Sequence, residues 1–122
     1  MRLLLDCHIA RGTIGALRPR LPSLHVEHLA TWWSGQFLRG SDEDILAMCH
    51  SQKRVLVTYD LRTIPNLLRM WATEQRSHSG IIFGDEQSIK PSQPGVVAGA
   101  LARIVKELGN AETTNLIRFL RP

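Results

Sequence analysis

Three short stretches of this chain are apolar at every position: Leu3-Leu4-Leu5, Val55-Leu56-Val57 and Ile81-Ile82-Phe83. A strand without polar alternation has packing on both faces, the condition of a parallel sheet held between two helical layers. Each run stops abruptly, at Asp6, at Thr58-Tyr59-Asp60 and at Gly84. Polar chemistry in such a chain is therefore confined to the places where strands end.

The segments between the runs have helical or turn character. Ile9 to Leu17 reads as a short helix ended near Arg18-Pro19, because the residue before proline disfavours helical geometry. Leu24 to Glu27 alternates and reads as a second, more exposed strand. Ser41 to Gln52 is a helix with Ser41 as N-cap and Asp44 as its capping-box partner. Thr63 caps the next helix, with Pro65 in the first turn and Ile64, Leu67, Leu68 and Trp71 on the inner face. Val97, Leu101, Ile104, Val105 and Leu108 mark a last helix ended at Gly109-Asn110, and Asn115 to Leu120 reads as a final strand. The expectation is one α/β domain with a mainly parallel sheet of four to five strands, helices on both faces and right-handed crossovers.

Composition excludes several classes. At 122 residues, 43% apolar and 21% charged, the chain is long enough for a core and unlike a disordered one. It has no apolar run near the roughly 20 residues of a membrane span, and Asp6 interrupts the opening apolar run too early for a signal peptide. A cytoplasmic protein is expected. The two cysteines, Cys7 and Cys49, lack the spacing of a disulfide framework or zinc motif. Fifteen basic residues, nearly all arginine, against eleven acidic ones suit a phosphate-bearing partner.

Asp6 ends the first strand and Asp60 follows the third, so a parallel sheet brings them to one edge, where ligands of open α/β sheets bind. A third acid comes from Asp42-Glu43-Asp44 at the start of a helix. Ile45, Leu46 and Cys49 define its core-facing stripe; at about 100° per residue, Asp42 lies over that stripe, Asp44 opposite and Glu43 between. Convergent carboxylates repel unless a cation joins them, and Mg²⁺ or Mn²⁺ is the hard ion that oxygen donors take. Such a centre suits phosphodiester hydrolysis. Asp85, past the fourth strand, is a further candidate. His8 stands beside Asp6 and is placed to meet metal or phosphate. Cys7 and His8 are not expected to cooperate, since successive strand residues face opposite ways.

Leu3-Leu4-Leu5-Asp6, Ser41-Asp42-Glu43-Asp44-Ile45-Leu46 and Arg54-Val55-Leu56-Val57-Thr58-Tyr59-Asp60, followed by Gly80-Ile81-Ile82-Phe83, resemble the compact PIN-like family related to VapC toxins. The resemblance spans most of the first 84 residues. It implies a three-layer α/β/α PIN-like fold and a Mg²⁺- or Mn²⁺-dependent ribonuclease, the toxin of a toxin–antitoxin pair. It further implies an RNA substrate, a small antitoxin that occludes the site, and Asp6, Asp42 or Glu43, and Asp60 as the metal-site acids. Family members often carry another acid two or three positions after the one matching Asp60, where this chain has Arg62 and Thr63. A PIN-like module that binds RNA or protein without cutting is the alternative.

A receiver-like domain, suggested by Ile89-Lys90-Pro91, is disfavoured: there are no paired acids at the first strand, and no Ser or Thr ends Ile81-Ile82-Phe83. Trp32, Trp33 and Phe37 in an irregular segment are candidates for a surface that meets the antitoxin or a second subunit. Arg11, Arg39 and Arg62 flank the acidic edge and are candidates to guide an RNA backbone.

Overall fold

The computed structural model describes residues 1–37 and 40–122. Five strands form one all-parallel sheet: β1 (Arg2–Leu5), β2 (His25–His28), β3 (Arg54–Thr58), β4 (Ile81–Phe83) and β5 (Ile117–Phe119), in the spatial order β2-β1-β3-β4-β5. Helices α1 (Thr13–Leu17), α2 (Asp42–Gln52), α3 (Thr63–Thr73) and α4 (Pro94–Leu108) connect them, with a 3₁₀ turn at Trp32–Gly35. This is an α/β/α arrangement, as the doubly buried runs require. No helix among the described residues is long and apolar enough to cross a membrane.

Period-two alternation divides the core into two layers. Leu3, Leu5, Val55, Val57 and Ile82 face Leu17 of α1 and Val97, Ala98, Leu101 and Ile104 of α4. Leu4, Leu56, Ile81 and Phe83 face Ile45, Leu46 and Cys49 of α2 and Ile64, Leu68 and Trp71 of α3. The same division fixes the handedness of the connections. From β2 onward the chain steps steadily across the sheet, with α2 and α3 on one face, but α4 crosses on the other face beside α1. The β4-α4-β5 crossover thus has the opposite hand to the other three, against the expectation of uniform right-handed crossovers. The physical reason is coverage. The five-residue α1 cannot cover its face alone, and the fifteen-residue α4 supplies the missing apolar stripe.

Local signals account for most element ends. The Ser41 hydroxyl accepts the Asp44 N–H (3.1 Å) at the start of α2. Pro94 opens α4, and Gly109 at φ +55° closes it, its N–H bonded to the Val105 carbonyl. Three expectations need correction. The first helix begins at Thr13 rather than Ile9, because Ile9 and Ala10 lie in a turn with their N–H groups bonded to the Asp6 and Pro91 carbonyls. The second strand runs from His25 to His28, one residue later than read. Thr63 does not cap α3 but is its first residue.

His28 braces the end of β2. Its Nδ1 accepts the Ala30 N–H (3.0 Å), so Nε2 carries the proton and donates to the Ile9 carbonyl (2.7 Å). At the end of β4, Gly84 allows a close approach: a Cβ there would stand 2.3 Å from Cζ of Tyr59. Gly84→Ala should therefore cost roughly 1–3 kcal/mol, the usual penalty of overpacking. Urea unfolding checks this, and a stability equal to the original protein's would mean that the Tyr59 ring moves freely aside.

Candidate functional site

The direction in which the connections progress across the sheet reverses between β1 and β3, and in open α/β sheets that switch point opens a crevice at the carboxyl ends. Asp6 and Asp60 leave those two strands. Asp6 continues the ladder, its N–H bonded to the Val57 carbonyl (2.9 Å), and the residue is 8% exposed. One carboxylate oxygen accepts the Cys7 N–H (2.7 Å) and the other accepts the Thr58 hydroxyl (2.6 Å). The Thr58 oxygen in turn accepts the Asp60 N–H (3.1 Å). A hydrogen-bonded chain thus runs from the Asp60 backbone through Thr58 to the Asp6 carboxylate. The sequence reading did not single out Thr58, although a lone hydroxyl at the end of an otherwise apolar, fully buried strand is the signal for it.

Asp42, the first residue of α2, joins these acids. Burial raises its carboxyl pKa above the ordinary value, and the charges of Asp60 and Asp6, with a hydrogen bond to Asp60, raise it further. Glu43 is elsewhere. Its carboxylate pairs with Arg76 at 3.2 Å, whereas the charges of Asp60 and Asp6 act on Asp42. Asp44 is exposed, and its backbone serves the Ser41 cap.

Asp60 has a structural duty as well. One carboxylate oxygen accepts the N–H groups of Arg62 (2.9 Å) and Thr63 (2.8 Å), capping α3 in place of Thr63. Burial alone would raise the Asp60 pKa. The hydrogen bonds from the Thr63 and Arg62 backbone, from the Thr63 side chain, and the charge of His8 outweigh it and leave Asp60 below its ordinary value.

Beside the acids opens a cleft of about 970 Å³ whose lining includes His8, Tyr59, Asp60, Arg62, Asn66 and Asp85. Asp85 lines the same cleft, one carboxylate oxygen accepting the Gln87 N–H (2.9 Å) in the turn after β4. The buried Tyr59 hydroxyl has no hydrogen-bond partner among the described residues, and burial, with the charges of Glu86 and Asp85, pushes it up to about 12. Cys7 and His8 correct the expectation that they point apart. Strand β1 ends at Leu5, the two residues lie in a turn, and Cys7 Sγ is 3.9 Å from His8 Nδ1.

Among the other candidates, Arg62 lines the cleft, Arg11 is exposed, and Arg39 lies outside the described residues. The aromatic group divides. Trp32 is 2% exposed and packs on Phe37 with ring centroids 5.0 Å apart, whereas Trp33 is 52% exposed.

No protein-family model, curated protein or solved structure matches the chain.

The two opposite shifts make a stability prediction for protein in a chelator. Asp60 ionises below the ordinary 3.8, so its stabilisation is present above that value and lost as pH falls through the depressed one. Asp42 ionises above the ordinary 3.8, so its charge costs stability at neutral pH and acidification relieves that cost. Asp42→Asn should accordingly stabilise the fold at pH 7, with the gain shrinking as pH falls through Asp42's raised pKa. Asp60→Ala should cost about 0.5–2 kcal/mol, and Asp60→Asn, which keeps the capping oxygen, less. Urea unfolding at a series of pH values checks both; destabilisation by Asp42→Asn at pH 7 would mean that the acids do not strain one another.

Proposed function

We propose that this chain is a PIN-like, metal-dependent endoribonuclease, the toxin of a toxin–antitoxin pair that acts in the cytoplasm. The observation that carries the reading is that Asp6 and Asp60 leave adjacent strands at the switch point of the sheet and that their charges act on Asp42 at the start of α2, whose carboxyl is raised by burial first and by those two charges next. A partly buried carboxyl raised by two neighbouring carboxylates has an unmet demand for positive charge. All-oxygen donors suit Mg²⁺ or Mn²⁺, and Asp6, Asp42 and Asp60 would hold the ion directly or through water.

When bound there, such an ion supplies Lewis acidity toward a phosphoryl oxygen and acidity to a water. The chain's own residues do the positioning. Asp6 is fixed by the Cys7 N–H and the Thr58 hydroxyl, so it offers its remaining lone pairs without having to reorganise. Asp60 is pinned by the start of α3 through one oxygen, which leaves its second oxygen out of those two bonds. Arg62, in the cleft beside Asp60, is suited to a backbone phosphate, and the breadth of the cleft to an extended strand. Leu61 and Met70, both exposed apolar residues of the same cleft, suit coverage by a small antitoxin protein.

A second reading, a PIN-like module that binds RNA or a protein partner without efficient cutting, is favoured by one observation. Where another acid is expected after Asp60, Arg62 and Thr63 engage Asp60 through their N–H groups. Incubation of RNA with the purified protein separates the two. With Mg²⁺ or Mn²⁺ the nuclease reading predicts cleavage that EDTA abolishes and that Asp6→Asn or Asp60→Asn lowers roughly 100-fold or more, while Glu43→Gln changes it little. Ion-dependent RNA binding by folded protein with no cutting would instead establish the binding module.

A further inference from the structure

The residues that leave β1 carry three different donor atoms. A carboxylate oxygen of Asp6, the sulfur of Cys7 and a ring nitrogen of His8 all lie within 4.8 Å of one another. Cys7 and His8 are exposed, so an ion reaches them without rearrangement of the core, whereas Asp6 is buried and held by two hydrogen bonds. His8 also lies near enough to Asp42 and Asp60 for its charge to act on both carboxyls. The acid group therefore shades on one side into sulfur and nitrogen.

Donor chemistry separates the ions that such a place takes. Mg²⁺ is a hard ion that keeps oxygen ligands and water, and gains little from thiolate or imidazole. Zn²⁺ is borderline soft, binds Cys, His and Asp together, and is content with three protein ligands and an open fourth position. We propose that Asp6, Cys7 and His8 form a Zn²⁺-type site of mixed oxygen, sulfur and nitrogen donors, with Asp42 or Asp60 available to the fourth position. This rests on the reading of the acids as a metal centre, and it extends that reading from hard ions to a transition ion. Because Asp6 belongs to both donor sets, a Zn²⁺ ion displaces Mg²⁺ from it, so the identity of the bound ion follows the supply of free zinc. On binding, the Cys7 thiol gives its proton to solvent as the sulfur–metal bond forms.

Cobalt(II), the spectroscopic stand-in for Zn²⁺, tests this on the whole chain under reducing conditions. One equivalent should produce a thiolate-to-Co²⁺ charge-transfer band in the near ultraviolet, which Zn²⁺ then bleaches by displacement. Cys7→Ser should remove the band and His8→Ala should lower Co²⁺ affinity about 10-fold or more, on the scale of losing a ligand or its support. Cys49→Ser should leave the band in place, since Cys49 is buried on the inner face of α2. Co²⁺ binding without a charge-transfer band, or a band that survives Cys7→Ser, would overturn the proposal. The nuclease reading is judged apart from it. Mg²⁺-supported RNA cleavage by the unaltered protein without a thiolate band would sink the mixed site alone, whereas a thiolate band without cleavage by any ion would uphold the mixed site and count against the nuclease.

Discussion

Burial of the sheet on both faces is the constraint from which the rest follows. All five residues of β3 are buried, as are Leu3, Leu4 and Leu5 of β1 and all of β4. An ionised group inside any of these strands would face several kcal/mol of desolvation with no partner. Charge is therefore kept to the strand ends: Arg54 opens β3 paired with Glu27 (3.4 Å), and the acids stand where the strands stop, which in a parallel sheet is one edge. With β1 and β3 adjacent and their outward connections leading to opposite sides, the first acids past each strand come together.

What holds the acids in place is a set of neutral donors rather than cations. Thr58 bridges the Asp60 backbone to the Asp6 carboxylate, and the start of α3 secures Asp60. The nearest arginine pairs lie elsewhere, Arg76 with Glu43 and Arg54 with Glu27. The arrangement fixes Asp6 and Asp60 without neutralising either carboxylate by an arginine or lysine pair among the described residues. Such pre-organisation suits a site that recruits its positive charge from outside the chain.

Much of this was legible in the residues. Apolar runs without alternation imply the parallel sheet and its two covered faces, and about 100° per residue separates Asp42 from Glu43 at the start of α2. Other features needed tertiary information. The pattern of α4 identifies a helix but not the face it covers, and the choice followed from the shortness of α1, itself hidden because Ile9 is as buried as a helix core residue would be. Cys7 and His8 were misjudged because the strand stops one residue before Asp6, and the rule of opposite faces stops with it. Trp32 and Trp33 are adjacent and chemically identical, so only the 3₁₀ turn decides which is buried. The double role of Asp60 was hidden because Thr63, an equally good cap by type, stands at the helix start.

The central claim is that the acids at the switch point are incomplete without a cation, and the dependence of thermal stability on divalent ions tests it most directly. An ion that binds only the folded protein stabilises it by RT ln(1 + [L]/Kd). The account predicts that Tm rises with added Mn²⁺, that the rise follows a single-site curve, and that Asp6→Asn or Asp42→Asn removes most of it. A Tm unchanged by Mn²⁺ and Mg²⁺ at millimolar concentration, or a rise that both variants retain in full, would contradict it.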